Sequence, residues 1–524
     1  MEFFVSNNRT INTTRNIVTG LLNRIISIFL PFFVRTIIIY KMGSEYAGLS
    51  NLFTAVLQVL NIADMGFNTA IVYNLYKAFA NNDKEEINAL VNLIKIIYRI
   101  VGIIILVLGL CLTPFITHLI NGSYPNDINI YILFVLYLTN SVLSYFLFSY
   151  KETLLIADQR NDIATNIRCA FNILRYIGEF LIILLTKNFY LYLIVSVLCT
   201  ALTNIFIQIV TKRRYPFIHK TLDKRHFSRE QKKQITGLFI SKISNTFRNS
   251  FDSIIISAML GLTMSAIYGN YFYILNSVFY LMLEVSNAMG ASVGNSLVIE
   301  NEQKNYSDFK KFSLLYSWLS GLFAICLMNL YQPFMKMWVG ENLMCTNIET
   351  FLFAFYFYSL SQCNIRNQYI DGTGMWWKLK FTYLLEAFVN LGLNVLLCYF
   401  WGIAGVIIST IITVVFLNYF ARNHYMFKEV FKSANVREFY TTQTYYCLVF
   451  IIASIATVAL CNMVSFAGVG GFALRILICL ISVNFLFAIF YKLSPDYPEA
   501  KQFTKNAVLI LIKRIKRGTT TNEH

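Results

Sequence analysis

Charge is what this sequence has least of. Charged residues fill 14% of its 524 positions, against about 25% in soluble globular chains, while hydrophobic residues reach 56% and the mean hydropathy is +0.55. That balance excludes the soluble reading of about three domains that length alone suggests. What remains is an all-α polytopic membrane protein. Histidine is scarce as well: His118, His219, His226, His424 and His524 never stand at metal-ligand spacing, which argues against a metal site. A GxxxxGK[ST] phosphate loop is missing, and with it the usual signature of nucleotide hydrolysis. The ten cysteines occur singly, mostly in apolar runs and without a CxxC pair, so they read as small packing residues rather than a disulfide framework. No cofactor is expected, and no enzyme activity. Acids are outnumbered, 27 Asp and Glu against 44 Lys and Arg, for a net charge of +17. In a membrane protein such an excess reports cytoplasmic loops before it reports nucleic acid.

Long apolar runs are what the sequence does have. A spanning helix needs roughly 20 mostly apolar residues, and such runs lie near 17–40, 46–72, 92–116, 129–150, 163–185, 188–210, 235–258, 263–290, 312–333, 348–369, 376–400, 402–420, 443–464 and 469–491. The first is too long for a signal-peptide core and has no small-residue cleavage site after it, so it stays as a span. With the N-terminus inside, alternate loops hold 31 and 3 basic residues, and the positive-inside rule then places both termini in the cytoplasm. The densest basic stretch, Lys212 to Lys233, divides the chain. The expected organisation is an N-terminal six-helix lobe (1–211), a basic cytoplasmic loop (212–234), a second six-helix lobe (235–422), two additional spans (423–491) and a basic cytoplasmic tail (492–524).

The two groups of six spans echo each other at an offset of about 219 residues. Thr19-Gly20-Leu21 recurs as Thr236-Gly237-Leu238, Asn51 and Phe53 as Asn270 and Phe272, Met65-Gly66 as Met289-Gly290, and Pro114-Phe115 as Pro333-Phe334. Six is even, so both halves enter the membrane in the same direction. Parallel repeats of this kind build transporters with the substrate site between the halves.

Six stretches, three in each half, carry a family resemblance. Met42-Gly43-Ser44-Glu45-Tyr46-Ala47-Gly48 leads into Asn61-Ile62-Ala63-Asp64-Met65-Gly66-Phe67 and then Tyr73-Asn74-Leu75-Tyr76-Lys77; in the second half come Phe251-Asp252-Ser253, Tyr268-Gly269-Asn270-Tyr271 and Gly294-Asn295. These resemble the bacterial polysaccharide and O-antigen repeat-unit flippases, the Wzx-type members of the multidrug/oligosaccharidyl-lipid/polysaccharide exporter superfamily, over at least twelve spans. The resemblance implies two six-helix lobes forming a V around an aqueous cavity that opens alternately to each side. It also implies movement of an undecaprenyl-pyrophosphate-linked oligosaccharide to the outer leaflet of the bacterial cytoplasmic membrane. The implied partners are the lipid-linked oligosaccharide, membrane lipids, and the polymerase and glycosyltransferases of the same pathway. Drug exporters share the fold, so a multidrug or cation antiporter is the first alternative. A membrane glycosyltransferase or polymerase is the second, and the short outer loops offer it no catalytic domain.

An ionisable side chain at mid-membrane costs at least about 2.5 kcal/mol, so it faces a wet cavity or a partner. The basic ones within spans are Arg24, Arg35, Lys95, Arg99, Arg168, Arg175, Lys242, Arg248, Arg366 and Arg475; the acidic ones are Asp64, Glu179, Asp252, Glu284 and Glu386. Lys95, Arg99, Arg168 and Arg366 lie near cytoplasmic span ends and are expected to snorkel. Arg175 with Glu179, and Arg248 with Asp252, are i,i+4 pairs. Arg24 and Arg35, eleven residues apart, share a face with Ser27 and Pro31, and Ser241, Asn245, Arg248 and Asp252 form the matching stripe of span seven. Guanidinium holds two phosphate oxygens at once and stays charged when desolvated. The expected substrate-binding residues are therefore Arg24, Arg35, Arg248, Lys242, Asn51 and Asn270, with Asp64, Asp252 and Glu284 in ion coupling or gating.

Overall fold

A computed structural model of the chain describes residues 9–61, 67–219, 229–466, 468–506 and 509. The helices are α1 (Arg9–Lys41), α2 (Ser44–Leu60), α3 (Phe67–Ala80), α4 (Lys84–Leu112), α5 (Ile130–Phe146), α6 (Glu152–Ala157), α7 (Asn161–Thr186), α8 (Phe189–Arg214), α9 (Arg229–Leu260), α10 (Leu262–Ile299), α11 (Glu302–Trp338), α12 (Asn347–Ser361), α13 (Asn364–Thr373), α14 (Lys380–Thr413), α15 (Arg422–Glu429), α16 (Val436–Asn462) and α17 (Gly468–Phe490). No strand occurs among the described residues, and each of the fourteen apolar runs is mostly helical where it is described, with short turns at 147–148, 362–363 and 378–379.

Among the described residues, eight helices are long and apolar enough to cross a membrane, or nine when Ile130–Phe146 and Ser149–Ala157, bent by 44°, are taken as one span. The others fall short for identifiable reasons. Helices α2 and α12 have 17 and 15 residues, and α9 carries Lys242, Arg248 and Asp252 through its length. Broken spans of this sort are tolerated where protein rather than lipid surrounds the break. Lipid-facing surfaces are plain: Ile96, Ile100, Ile103 and Val107 of α4 are each more than half exposed at the spacing of one helix face. An exposed apolar stripe of that length is the kind of surface that meets lipid or another protein.

Helix starts follow the capping rules. The Asn129, Asn188, Asn301 and Asn435 side chains accept backbone N–H bonds at the starts of α5, α8, α11 and α16, and Thr346 with Glu349 closes a capping box on α12. Helix α14 breaks at Gly402, whose φ of 58° is left-handed, where only glycine turns without strain. Beyond it, Val414–Ala421 winds as a π-helix, a rare helical form.

The chain clusters into two compact units. The first comprises residues 1–269 and 387–406, the second 270–386 and 407–524. The boundary falls inside α10, and α9 packs within the first unit, along α2. There Gly48 lies so close to the Leu262 carbonyl that a Cβ would stand 2.1 Å from its oxygen.

Candidate functional site

In the first unit, two of the residues expected to bind substrate are joined to each other. The Arg35 Nη1 of α1 donates to Asn51 Oδ1 of α2 at 2.9 Å, its Nη2 donates to the Ala266 carbonyl at 3.3 Å, and Asn51 Nδ2 donates to the Ser265 carbonyl at 2.8 Å. Three helices are thereby fastened together at the start of α10. Gly269 makes the approach feasible, since a Cβ there would stand 2.1 Å from Asn51 Nδ2.

Helix α9 carries the second polar stripe. Arg248 is buried and donates from Nη2 to Asn245 Oδ1 at 3.0 Å, while Asn245 itself is exposed. One turn on, Asp252 is buried and accepts from the Tyr268 hydroxyl and from Asn394 Nδ2, both at 2.7 Å. Asn394 in turn reaches Asn390 on the same face of α14 at 3.3 Å. Lys242, two turns before Arg248, and Arg24 on α1 are half-buried. Asp64 lies outside the described residues.

The stripe of α7 is neutralised locally. Arg175 Nε stands 3.6 Å from Glu179 Oε1, and its guanidinium carbon is 4.4 Å from the Tyr176 ring centroid. Arg168 is paired with Glu152. Just beyond the α5 span, burial and the neighbouring Lys95 and Lys212 ammonium groups push the Lys151 ammonium below its usual range.

In the second unit, Asn270 is completely buried and Glu284 is exposed. Arg366 corrects a sequence expectation. Far from snorkelling, it is 1% exposed, because the π-helix turns carbonyls toward it: Nη1 donates to the Asn418 and Tyr419 carbonyls, and Nη2 donates to Asn418 Oδ1 at 2.6 Å and Asn367 Oδ1 at 2.9 Å. The same Asn418 donates to Glu386 Oε1 at 3.2 Å. Glu386 is ion-paired to Arg422, whose guanidinium carbon lies 4.0 Å from the Tyr383 ring centroid. The network Arg366–Asn418–Glu386–Arg422 was not among the expected site residues. Arg366 and Glu386 were visible as in-span charges, but Arg422 follows the predicted span end by two residues and Asn418 carries no charge.

The half-buried Arg24 and Lys242 and the buried Arg248 give α1 and α9 a cationic character suited to phosphate oxygens. The Arg366 network is sealed by neutral carbonyls and a carboxylate, as a structural anchor is. No cluster of His, Cys, Asp and Glu among the described residues is arranged to hold a metal ion.

A family model described as polysaccharide biosynthesis protein matches residues 13–286. No curated protein sequence matches the chain. Among solved structures, the lipid II flippase MurJ in an inward closed conformation is similar at 14% identity, covering 91% of this chain and 98% of that one with a TM-score of 0.66. An outward-facing multidrug resistance MATE family transporter of the MOP superfamily aligns at 14% identity over 82% of this chain and 98% of that one, TM-score 0.52. A MOP superfamily transporter from Pyrococcus furiosus, described as having a binding pocket of reverse polarity that suggests a different function, aligns at 13% identity over 80% and 96%, TM-score 0.53. At these identities the likeness is one of fold.

Proposed function

The chain belongs to the polysaccharide biosynthesis protein family, and on that premise we propose that it is a flippase for an undecaprenyl-pyrophosphate-linked oligosaccharide. It moves the repeat unit from the cytoplasmic to the outer leaflet of a bacterial cytoplasmic membrane by alternating access. Both termini lie in the cytoplasm, and the pathway's glycosyltransferases and polymerase supply and consume the cargo. No covalent bond changes. Arg24 of α1 with Lys242 and Arg248 of α9 receive the pyrophosphate, and the polyprenyl tail stays in lipid. Asp252 provides the coupling or gating carboxylate. Arg35 and Asn51 hold α1, α2 and the start of α10 in register for that path.

The observation that carries this reading is the cationic character of α1 and α9, with Arg24 and Lys242 half-buried and Arg248 buried. A cationic path attracts a pyrophosphate and repels the cations that a multidrug antiporter would move. The deciding experiment reconstitutes the protein in vesicles and measures exposure of a defined lipid-linked oligosaccharide alongside efflux of a cationic dye. Glycolipid flipping without dye transport is expected; dye transport without flipping would transfer the protein to the exporter class.

A further inference from the structure

A second place with the chemistry of an anion site lies in the second unit. The charged start of α11 ends at Lys311, and its apolar part begins at Phe312, which marks the level where the helix passes from water into the bilayer. At that level the short helix 497–506 lies along α11, with Phe503 edge-on to Phe312 at 5.5 Å and Ala500 buried. Between them opens a groove of about 530 Å³ lined by Leu314, Leu315, Trp318 and Leu319 on one side and by Ala500, Lys501 and Lys505 on the other. Its walls are predominantly apolar. Trp318 is fixed as one wall by the bond from its indole N–H to Asn484 Oδ1 at 2.9 Å and by the Phe487 ring at 5.9 Å.

We propose that this groove binds an anionic phospholipid of the surrounding leaflet, with the phosphate on Lys501 and Lys505 and an acyl chain along Leu314, Leu315, Trp318 and Leu319. Lys501 and Lys505 are i,i+4, so both ammonium groups stand on one face. Both are exposed. The nearest acid in the helix, Glu499, is engaged by the Ser307 hydroxyl. The sequence continues into Lys513, Arg514, Lys516 and Arg517, and a polybasic segment beside a span raises the local concentration of anionic lipid. A free phosphate would meet only the lysines and gain nothing from the apolar wall; a zwitterionic lipid would fill the wall and gain little from the lysines. Only a lipid with net negative charge uses both halves. The site is independent of the proposed cargo path, since none of its residues lies on α1 or α9.

Trp318 supplies the probe. The full chain is prepared with Trp338, Trp376, Trp377 and Trp401 changed to Phe, so that Trp318 is the one remaining indole of the five tryptophans, and is titrated in detergent with phosphatidylglycerol or phosphatidylcholine carrying a dibrominated acyl chain. Quenching by the phosphatidylglycerol should half-saturate at a concentration lower by on the order of tenfold. The difference should shrink at high salt and vanish in Lys501→Gln/Lys505→Gln, with quenching by phosphatidylcholine unchanged. Equal quenching by the two lipids overturns the proposal, as does a preference that survives the double substitution. Relief of quenching by inorganic phosphate alone would reduce the site to a headgroup contact, and relief by a lipid-linked pyrophosphate at lower concentration than phosphatidylglycerol would reassign the groove to the cargo. Either result also overturns it. A chain ending at Asn506 that binds both lipids more tightly would show that its own C-terminal residues fill the groove instead.

Discussion

Arg35 and Asn51 are hydrogen-bonded to each other at 2.9 Å and grip two successive carbonyls, those of Ala266 and Ser265. The two side chains act as a single clasp, so their substitutions should be non-additive. Arg35→Ala and Asn51→Ala are each expected to lower membrane abundance and thermal midpoint, and the double variant should be little worse than the more damaging single one. Midpoints in detergent, read beside a flipping assay normalised to protein, separate this from a substrate role, in which transport per molecule falls while the midpoint stays put.

Gly269 and Gly48 test the same packing from the backbone side. Gly269→Ala places a methyl 2.1 Å from Asn51 Nδ2, and Gly48→Ala places one 2.1 Å from the Leu262 carbonyl oxygen; each overpacking is expected to cost about 1–3 kcal/mol. Gly392→Ala meets nothing within 4 Å and should be neutral or stabilising by up to about 1 kcal/mol, the ordinary helix preference for alanine. Thermal scans of the three variants check the order.

Arg24 and Arg248 carry the sharpest functional prediction. Arg24→Ala and Arg248→Ala should each strongly reduce export at near-normal abundance, with lysine restoring only part because it lacks the bidentate fork. If Arg248→Ala instead depletes the protein and Arg248→Ala/Asp252→Ala restores both abundance and transport, Arg248 is a structural counter-charge and the pyrophosphate assignment rests on Arg24 and Lys242. Asp252→Asn keeps an acceptor for Tyr268 and removes the charge, so unchanged transport and unchanged dependence on pH and sodium would eliminate it as a coupling group.

The Arg366 network should behave as an anchor. Removing one member of a buried charged set costs about 3–5 kcal/mol, so Arg422→Leu and Glu386→Leu should each deplete the protein. Arg422→Leu/Glu386→Leu should recover much of the loss, measured as folded protein by size-exclusion chromatography.

Lys151 gives a pH dependence. Its folded-state affinity for a proton is depressed by burial and by Lys95 and Lys212, so the unfolded chain binds the proton more tightly and stability rises with pH between the depressed folded value and the ordinary lysine range near 10.5. The thermal midpoint should climb as pH increases through that window, and Lys151→Gln should flatten the climb.

The fold was legible because membrane insertion writes itself as long apolar runs. All fourteen runs are mostly helical where described, and the break between the eleventh and twelfth was visible as Tyr399-Phe400-Trp401-Gly402 giving way to a new run. Side-chain partnerships were legible only within one helix, where spacing fixes neighbours: Arg175 with Glu179 is such a case. The donors to Asp252 come from Tyr268 and Asn394, 16 and 142 residues away, and neutral amides leave no trace in a search for charges. Arg366 was misplaced for a related reason. Sequence gives its depth along the span but not the π-helix that turns carbonyls toward it.

The turn at Gly402 has a practical corollary. Gly405 folds back so tightly that a Cβ would stand 1.9 Å from the Leu397 carbonyl oxygen, and the two arms of α14 meet with no intervening loop. Inserted epitopes succeed at exposed, loosely held loop tips, and here there is none to receive one. Tags, protease sites and fluorophores placed at this hairpin would have to break it, whereas residues 124–126, exposed or half-exposed and outside any helix, have the character of a loop that tolerates a foreign segment.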